Sequence, residues 1–268
     1  EPILSLRDII PQEVLKSRKK QIKARLVGGI TALILWLMPL KKRAVERKRD
    51  YMINWKLDKE ISDHLLGISK SAGVTVNTLL CKTILTAFRE TGSADFQNKI
   101  VCPVDIKKYI PLIKEENIFP FVSMVILSAD TGLDFINDAL RMQEYVAKKM
   151  ENLDPYAMIM QMEASHGSLE DLSNFLKYSK LGSDCLLSNL GKIGIKHDYR
   201  SFEVETIYSP SAVGPLGKTT GLVTSTYRGQ VDFTFISSEG FLPHYEALKI
   251  KDKIIEIIRT MPVSANGL

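Results

Sequence analysis

The residues of this 268-residue chain that could act as general acids, bases or ligands are few and scattered. No HExxH, GxSxG or GxxxxGK(S/T) pattern is present. Gly191 and Gly194 are spaced like the last two glycines of a dinucleotide fingerprint, but Asn189 stands where the first glycine belongs. The four histidines, no two of them close in sequence, are His64, His166, His197 and His244. The sequence therefore contains none of the motifs that usually indicate a hydrolase or a nucleotide-binding protein.

His166 is the histidine best suited to be a general base, because the small residues Ala164, Ser165 and Gly167 around it would let a substrate approach. A solvent-exposed loop histidine would have the same neighbours, and this second interpretation is favoured.

The three cysteines, Cys81, Cys102 and Cys185, are far apart and form no CxxC pair. Neither a disulfide framework nor a metal site is predicted, and a reducing, cytoplasmic location fits best. The first residue is Glu1 rather than Met, and no signal-peptide pattern follows it. We therefore expect a processed or truncated chain.

Positive charge is concentrated in one segment. Residues 16–49 contain twelve lysines or arginines and one acid, Glu46, whereas the rest of the chain carries a net charge of −6 out of a total of +5. A nucleic-acid-binding protein needs cations spread along an ordered surface, so no nucleic-acid partner is predicted. Apolar residues make up 45% and charged residues 25%, which is typical of a folded globular protein.

Residues 12–50 are predicted to be helical, polar and basic at both ends, with an apolar run from Leu26 to Leu40; Pro39 is expected to bend or end the helix. Fifteen residues at 1.5 Å each are too short for a hydrocarbon core of about 30 Å, so a membrane span is not expected. Two alternatives remain. The favoured one is a helix packed against a missing part of the protein, and the other is a helix lying on an anionic membrane as a peripheral contact through residues 26–40.

Periodicity predicts the elements of the remaining chain. Alternating spacings predict strands at 52–57, 99–104, 121–128 and 184–189. Helical spacings predict a helix with Ile61, Leu65, Ile68 and Ala72 on one face, and further helices that begin after Thr75, after Gly132 and at Leu169. Gly73 is expected to end the first of these helices, Thr75 to cap the second, and Pro103 to mark a strand end or an edge. The 184–189 strand is expected to break at Leu190 and Gly191.

The last third changes to strands at 202–208, 221–227 and 230–236, followed by a helix from His244. Arg228 and Gly229 lie between two alternating runs and predict a hairpin. The predicted fold class is α/β, layered α+β: a mixed, largely antiparallel sheet with helices packed on one face. The predicted division is a helical linker at 1–50 and a lobe at 51–268.

Four short segments occur along the chain in the same order as the motifs of a known family. They are residues 73–80 (GVTVNTLL), 101–111 (VCPVDIKKYIP), 187–191 (LSNLG) and the strand–turn–strand–helix at 224–258. They resemble, in turn, the central-helix start, the PVDLRxYLP segment, the SNLG strand end and the closing elements of the chloramphenicol acetyltransferase-like superfamily. That superfamily includes condensation domains, alcohol acetyltransferases and wax-ester-synthase-like acyltransferases. The order and spacing over about residues 52–260 make coincidence the poorer explanation.

The resemblance implies two similar lobes, with a tunnel in which an acyl thioester meets its acceptor. In the family, an HHxxxDG motif in the N-terminal lobe supplies the histidine that takes the acceptor's proton. This sequence has no adjacent histidine pair. Because a lost general base usually costs orders of magnitude in rate, we expect a C-terminal lobe that does not turn over alone and that needs the HHxxxDG lobe as its partner.

The resemblance also suggests site residues. Ser188, Asn189 and Gly191 would end a strand facing the substrate channel, although a turn serving only backbone geometry is equally favoured. Asp105, Lys107 and Lys108 would meet the phosphate of a donor, either coenzyme A or a carrier's phosphopantetheine arm, although a solvated surface loop is the safer interpretation. No bound cofactor or metal is expected, and the acceptor would be a small alcohol or amine.

Two further hypotheses come from other classes. In one, the chain kept the lobe as a non-catalytic binding or scaffold protein; in the other, it is a peripheral membrane protein anchored through Leu26 to Leu40, with its cations against anionic lipid. An HHxxxDG half in the same reading frame would exclude the scaffold hypothesis.

Overall fold

The computed structural model describes residues 6–37, 48–93, 96–114, 121–178, 183–211 and 220–262. The chain divides into two compact units. The first comprises Glu1–Val45, Pro103–Met124 and Lys148–Leu181, and the second comprises Glu46–Cys102, Val125–Ala147 and Gly182–Leu268. Each unit is therefore assembled from segments that are far apart in sequence.

Helices and strands are interspersed along the described residues. The helices are α1 (Leu6–Ile9), α2 (Gln12–Lys16), α3 (Arg18–Leu37), α4 (Lys59–Ala72), α5 (Val76–Glu90), α6 (Phe135–Glu151), α7 (Pro155–Ala164), α8 (Leu169–Tyr178) and α9 (His244–Thr260). The strands are β1 (Asp50–Lys56), β2 (Ile100–Asp105), β3 (Val122–Leu127), β4 (Cys185–Lys192), β5 (Gly221–Tyr227) and β6 (Gln230–Ser238).

The first unit is mainly helical, with α3 packed against α7. The region predicted to be helical from residue 12 is helical in its described part up to Leu37, and it divides into α2 and α3 because the backbone of Ser17 between them is extended. The strand β1 already begins at Asp50, and the predicted bend at Pro39 lies outside the described residues. The Nζ of Lys20 on α3 lies 2.7 Å from a carboxylate oxygen of Asp154, the residue that caps α7.

The second unit contains most of a six-stranded sheet in the order β1-β6-β5-β4-β2-β3. β6 pairs antiparallel with both β1 and β5, whereas β4 pairs parallel with both β5 and β2. The predicted hairpin is confirmed: Arg228 and Gly229 both have positive φ, 50° and 77°, as a type I′ turn requires. The sheet is mixed and helices pack on it, which confirms the predicted α/β class.

The core of the second unit lies between this sheet and the helices α4, α5 and α9. The side chain of Asp58 caps α4, which ends at Gly73 in the left-handed conformation, and Thr75 caps α5 as predicted. Residues 78–88 of α5 are all buried. The ring of Phe88 packs edge-on against Phe235, with ring centroids 6.4 Å apart. Helix α5 therefore lies at the centre of the core of the second unit.

An ion pair lies inside this core. The Nζ of Lys82 on α5 is 2.6 Å from Asp138 on α6, and their side chains are only 5% and 0% exposed. Asp138 also accepts hydrogen bonds from the guanidinium of Arg141 and from the backbone N–H of Asp130. Burial favours the neutral acid, but the hydrogen bonds from Lys82 and Arg141 outweigh it and hold the pKa of Asp138 below its ordinary value.

The strand predicted at 202–208 is wrong. Only an isolated bridge between Asp198 and Glu203 forms there. The ring of Tyr199 stacks on Phe202 with centroids 5.0 Å apart, and Phe202 is 59% exposed. Residues 202–208 therefore form no strand of the sheet, although Lys56 on β1 and Tyr227 on β5 donate side-chain hydrogen bonds to Thr206 and to the carbonyl of Val204.

Pro103 does not mark an edge, because β2 lies between β4 and β3 in the sheet order. The pairing of β2 with β4 involves Ile100 and Val101 only, so it ends before Pro103 and the missing N–H of that residue costs no ladder hydrogen bond there.

Among the described residues, no single helix is long and apolar enough to cross a membrane. α4 and α5 satisfy the length and composition only as a pair, with a bend of 111° between them.

Candidate functional site

The SNLG segment lies within β4 rather than at its end. The pairing register with β5 shifts after Asn189, and the strand then continues to Lys192. Gly191 has a φ of +66°, and its backbone N–H donates a hydrogen bond of 2.9 Å to Oδ1 of Asn189. The predicted break at Leu190 and Gly191 is therefore wrong: this turn lets the strand bulge and continue.

Ser188 and Asn189 project from opposite faces of the sheet, as successive strand residues do. The register aligns Asn189 with Thr224 and Phe233, which lie on the face covered by α5 and α9. It aligns Ser188 with Val223 and, through it, with Thr234 on the opposite face. Ser188 therefore lies on the sheet face opposite the one that α5 and α9 cover.

Both polar side chains retain hydrogen-bonding capacity. Ser188 is half-buried, and its hydroxyl has no hydrogen-bond partner among the described residues. The Oδ1 of Asn189 is engaged by Gly191, so its Nδ2 is the group left to donate. A hydroxyl and an amide N–H are groups that can orient a thioester carbonyl or an acceptor.

A polar cluster, buried except for the exposed Asn54, lies on the same sheet face as Ser188. It consists of Asn54, Ser209, Ser225, Asp232 and Thr234. The Nδ2 of Asn54 donates to Asp232, whose carboxylate also accepts the backbone N–H of Ser209 at 2.7 Å. The hydroxyl of Ser209 lies 2.9 Å from that of Ser225, and Thr234 donates to the Ser209 carbonyl at 2.8 Å. Asp232 is only 2% exposed.

This cluster holds the segment around Ser209 on the sheet. The sequence analysis did not predict this cluster, although the alternation in β6 indicated it. Val231, Phe233 and Phe235 face the helices, so Asp232 and Thr234 lie together on the other face. An acid and a threonine at buried positions of a central strand indicate a hydrogen-bonded network rather than a solvated surface.

The residues predicted to bind the donor lie in the first unit. One oxygen of Asp105 accepts the backbone N–H of Lys107 at 2.8 Å, in the turn that leads from β2 into a 3-10 helix at Lys107–Tyr109. The Nζ of Lys108 lies 5.0 Å from the centre of the Tyr109 ring. Asp105 thus shapes the backbone, and the two lysines carry positive charge at the surface.

The histidines and cysteines do not form a catalytic group in the described part of the chain. His166 is exposed, and Nε2 of His64 lies 3.0 Å from the carbonyl of Met261. The three cysteines are free, and Sγ of Cys81 lies 3.2 Å from that of Cys102. The hydrogen bond with Cys102 and burial raise the pKa of Cys81 well above its ordinary value, which disfavours the thiolate. No cluster of described histidine, cysteine or acidic side chains could hold a metal ion.

Solved structures share the fold of this chain. A trichothecene 15-O-acetyltransferase from Fusarium sporotrichioides matches with a TM-score of 0.61 and 16% identity, over 92% of this chain and 54% of its own. An NRPS cyclization-docking bidomain from Sorangium cellulosum matches with a TM-score of 0.59 and 16% identity, over 98% and 54%. A wax ester synthase/diacylglycerol acyltransferase from Marinobacter aquaeolei VT8 matches with 0.52 and 14%, over 96% and 57%.

Comparison with protein-family models and with curated proteins gives no match. Nearly all of this chain is covered in the structural matches, whereas it spans about half the length of the proteins it matches. The chain therefore has a chloramphenicol acetyltransferase-like fold, which it shares with these solved structures.

Proposed function

We propose that this chain is the C-terminal lobe of an acyltransferase that moves an acyl group from a coenzyme A or carrier-protein thioester to an alcohol or amine. The observation that carries the proposal is the match of 92% of this chain to only 54% of an acetyltransferase. The sequence contains no HHxxxDG motif. The general base would therefore belong to a second lobe, which the 268 residues do not include.

In the proposed reaction, a histidine of the second lobe takes the proton of the acceptor hydroxyl or amine. The acceptor attacks the thioester carbonyl carbon, the new C–O or C–N bond forms, and the C–S bond breaks. The thiol leaves as its sulfur receives a proton, so no oxidant or metal is needed. The hydroxyl of Ser188 would orient the thioester or the acceptor, and Asn189 with Gly191 would shape the strand at that point.

The donor would be held partly by charge. Lys107 and Lys108 follow the Asp105 turn and would contact a phosphate of the donor. Neutralising both, as Lys107→Gln with Lys108→Gln, should raise KM for coenzyme A thioesters and leave kcat almost unchanged. A pantetheine thioester without phosphate should show no such change in KM. A lower kcat for both donors would contradict a binding role.

The first experiment is to read the coding sequence upstream of Glu1 and to express this chain and any longer in-frame protein. Release of free thiol from acyl-coenzyme A is then followed with alcohol and amine acceptors. We expect background rates for this chain and turnover for a protein that contains an HHxxxDG half. A longer protein that carries HHxxxDG but consumes no thioester would contradict acyl transfer.

The proposed role of Ser188 is tested in the active protein. Ser188→Ala should lower kcat/KM about tenfold, because one hydrogen bond to the substrate is worth about 1–1.5 kcal/mol. The matched control is Ser71→Ala on the exposed side of α4, which should leave the rate unchanged. Equal rates for both variants would exclude a hydrogen bond from Ser188 that orients the substrate.

A non-catalytic binding lobe is the second candidate. It is favoured by the lack of an HHxxxDG motif in the sequence and by the engaged or exposed state of His64 and His166. A reading frame that starts at this chain and lacks a catalytic half would favour this candidate over the first.

A further inference from the structure

The helix α3 has two apolar sides. The inner side is buried through Ala24, Gly28 and Leu35. The opposite side carries Ile22, Leu26, Ile30, Leu33 and Leu37, here called the outer stripe. At 100° per residue these five side chains fall within an arc of about 80°, centred opposite the inner side. Each is between 48% and 65% exposed.

The inner side fixes the rotation of α3. A Cβ at Gly28 would lie 2.9 Å from the backbone oxygen of Ala164 on α7, so only glycine permits this approach. Lys20, on the same half of the helix, forms its ion pair with Asp154. Because α3 cannot turn about its axis without breaking both contacts, the outer stripe stays on the side of the helix that faces away from α7.

The charges around the outer stripe are positive. α3 contains no acidic residue, and the exposed cations Lys19 and Lys23 lie on or beside the arc of the stripe at its N-terminal end. In the described part of the chain neither forms an ion pair. Six more cations follow α3 in the sequence between residues 41 and 49.

This combination favours lipid over a protein partner. Lysine is depleted at the cores of protein interfaces, whereas an apolar stripe bordered by lysines is typical of helices that lie on anionic membranes. From Ile22 to Leu37 the stripe is about 23 Å long, which is shorter than a hydrocarbon core of about 30 Å, so it suits a helix lying in the plane of the membrane.

We propose that the outer stripe and its bordering lysines bind an anionic lipid surface, with α3 parallel to the membrane plane. The apolar side chains enter the boundary of the acyl chains while Lys19 and Lys23 contact the lipid phosphates. This inference goes beyond acyl transfer and does not depend on it.

The test is sedimentation of the full chain with vesicles of phosphatidylcholine that contain about one-third phosphatidylglycerol, or none. We expect binding to the anionic vesicles only, and weaker binding at high salt because the charges are exposed. Neutralising both bordering lysines, as Lys19→Gln with Lys23→Gln, should weaken binding by about one order of magnitude or more. Replacing Leu26 and Leu33 with serine should weaken it at least tenfold.

Matched controls lie in the second unit. Met52→Ser with Ile126→Ser replaces side chains that are 65% and 54% exposed, and Lys249→Gln removes an exposed cation; none should change binding. Circular dichroism checks that each variant is folded. Trp36, which is 76% exposed on α3, should shift its emission to the blue with anionic vesicles.

Three results would overturn the proposal: no binding to either vesicle, equal binding to both that salt does not alter, or self-association that the leucine variant abolishes without any vesicle binding. The assay contains no thioester, so its failure would leave the proposed acyl transfer untouched, and inactivity toward thioesters would leave this result untouched.

Discussion

Replacing Lys82 with methionine removes the positive half of the ion pair inside the second unit while it keeps the aliphatic part of the side chain. Asp138 would then be a buried carboxylate without its main counter-charge. Breaking a buried pair in this way costs about 3–5 kcal/mol of unfolding free energy. We expect about 3 kcal/mol, the lower end, because Arg141 and the Asp130 N–H still hold Asp138.

A matched control is available in the same unit. Lys59 and Asp63 are also 2.6 Å apart, but their side chains are 60% and 55% exposed. Lys59→Met should therefore cost under about 0.5 kcal/mol, as exposed pairs do. The comparison isolates burial, since the substitution and the contact distance are the same.

The assay is urea unfolding followed by fluorescence in a Trp36→Phe background. The remaining tryptophan, Trp55, stacks on Phe233 in the core of the second unit with centroids 4.9 Å apart, so its emission reports that unit. A loss below about 1 kcal/mol in Lys82→Met, similar to that of Lys59→Met, would refute the argument that burial makes the pair important. Lys82→Met with Asp138→Leu should cost less than the sum of the two single changes.

Three other outcomes are expected in the same assay. Gly191→Ala should cost about 1–2 kcal/mol, because its φ of +66° disfavours a Cβ, although nothing lies within 4 Å of that position. Asp232→Ala should cost about 2–3 kcal/mol, because the buried N–H of Ser209 loses its acceptor. The pKa of Asp138 is lower in the folded chain than in the unfolded one. Its contribution to the free energy of unfolding is therefore present above about pH 4 and is lost as the pH falls through the folded pKa. Asp138→Asn should remove this part of the pH dependence of stability.

A specific result would contradict each of these three predictions. Gly191 is compared with Gly194, which has no positive φ, and equal losses on replacement by alanine would exclude backbone strain. An unchanged stability of Asp232→Ala would mean that water satisfies Ser209. An Asp138→Asn variant with the same slope against pH as the parent would show that other carboxylates set the acid limit.

Capping and turn residues, which act within a few positions of the chain, gave the most accurate predictions of helix ends and of the hairpin. Gly73 and Thr75 mark a helix end and a helix start through backbone conformation and capping, and Arg228 with Gly229 marks a hairpin, because each effect acts within a few residues. The long-range arrangement was not predictable in this way. Lys82 and Asp138 are 56 residues apart, and a lysine or an aspartate on a helix usually indicates a solvated position.

The candidate site was predicted in part. The sequence pattern located Ser188 and Asn189 on a strand, but their opposite faces follow from the register with β5, which depends on residues about 35 positions away. The network around Asp232 depends on an even longer separation, because Asn54 lies 178 residues before it. The strand predicted at 202–208 did not form; Phe202 instead stacks on Tyr199 just before it, a local contact that alternation alone does not reveal.

The pairing of β1 with β6 has a consequence for synthesis of the protein. β1 leaves the ribosome about 180 residues ahead of the strand that completes its ladder. At about 5–20 residues per second this corresponds to roughly 10–40 seconds during which β1 has no partner strand. The apolar side chains of Ile53 and Trp55 stay exposed for that time, so the nascent chain should be a substrate for chaperones until β6 emerges.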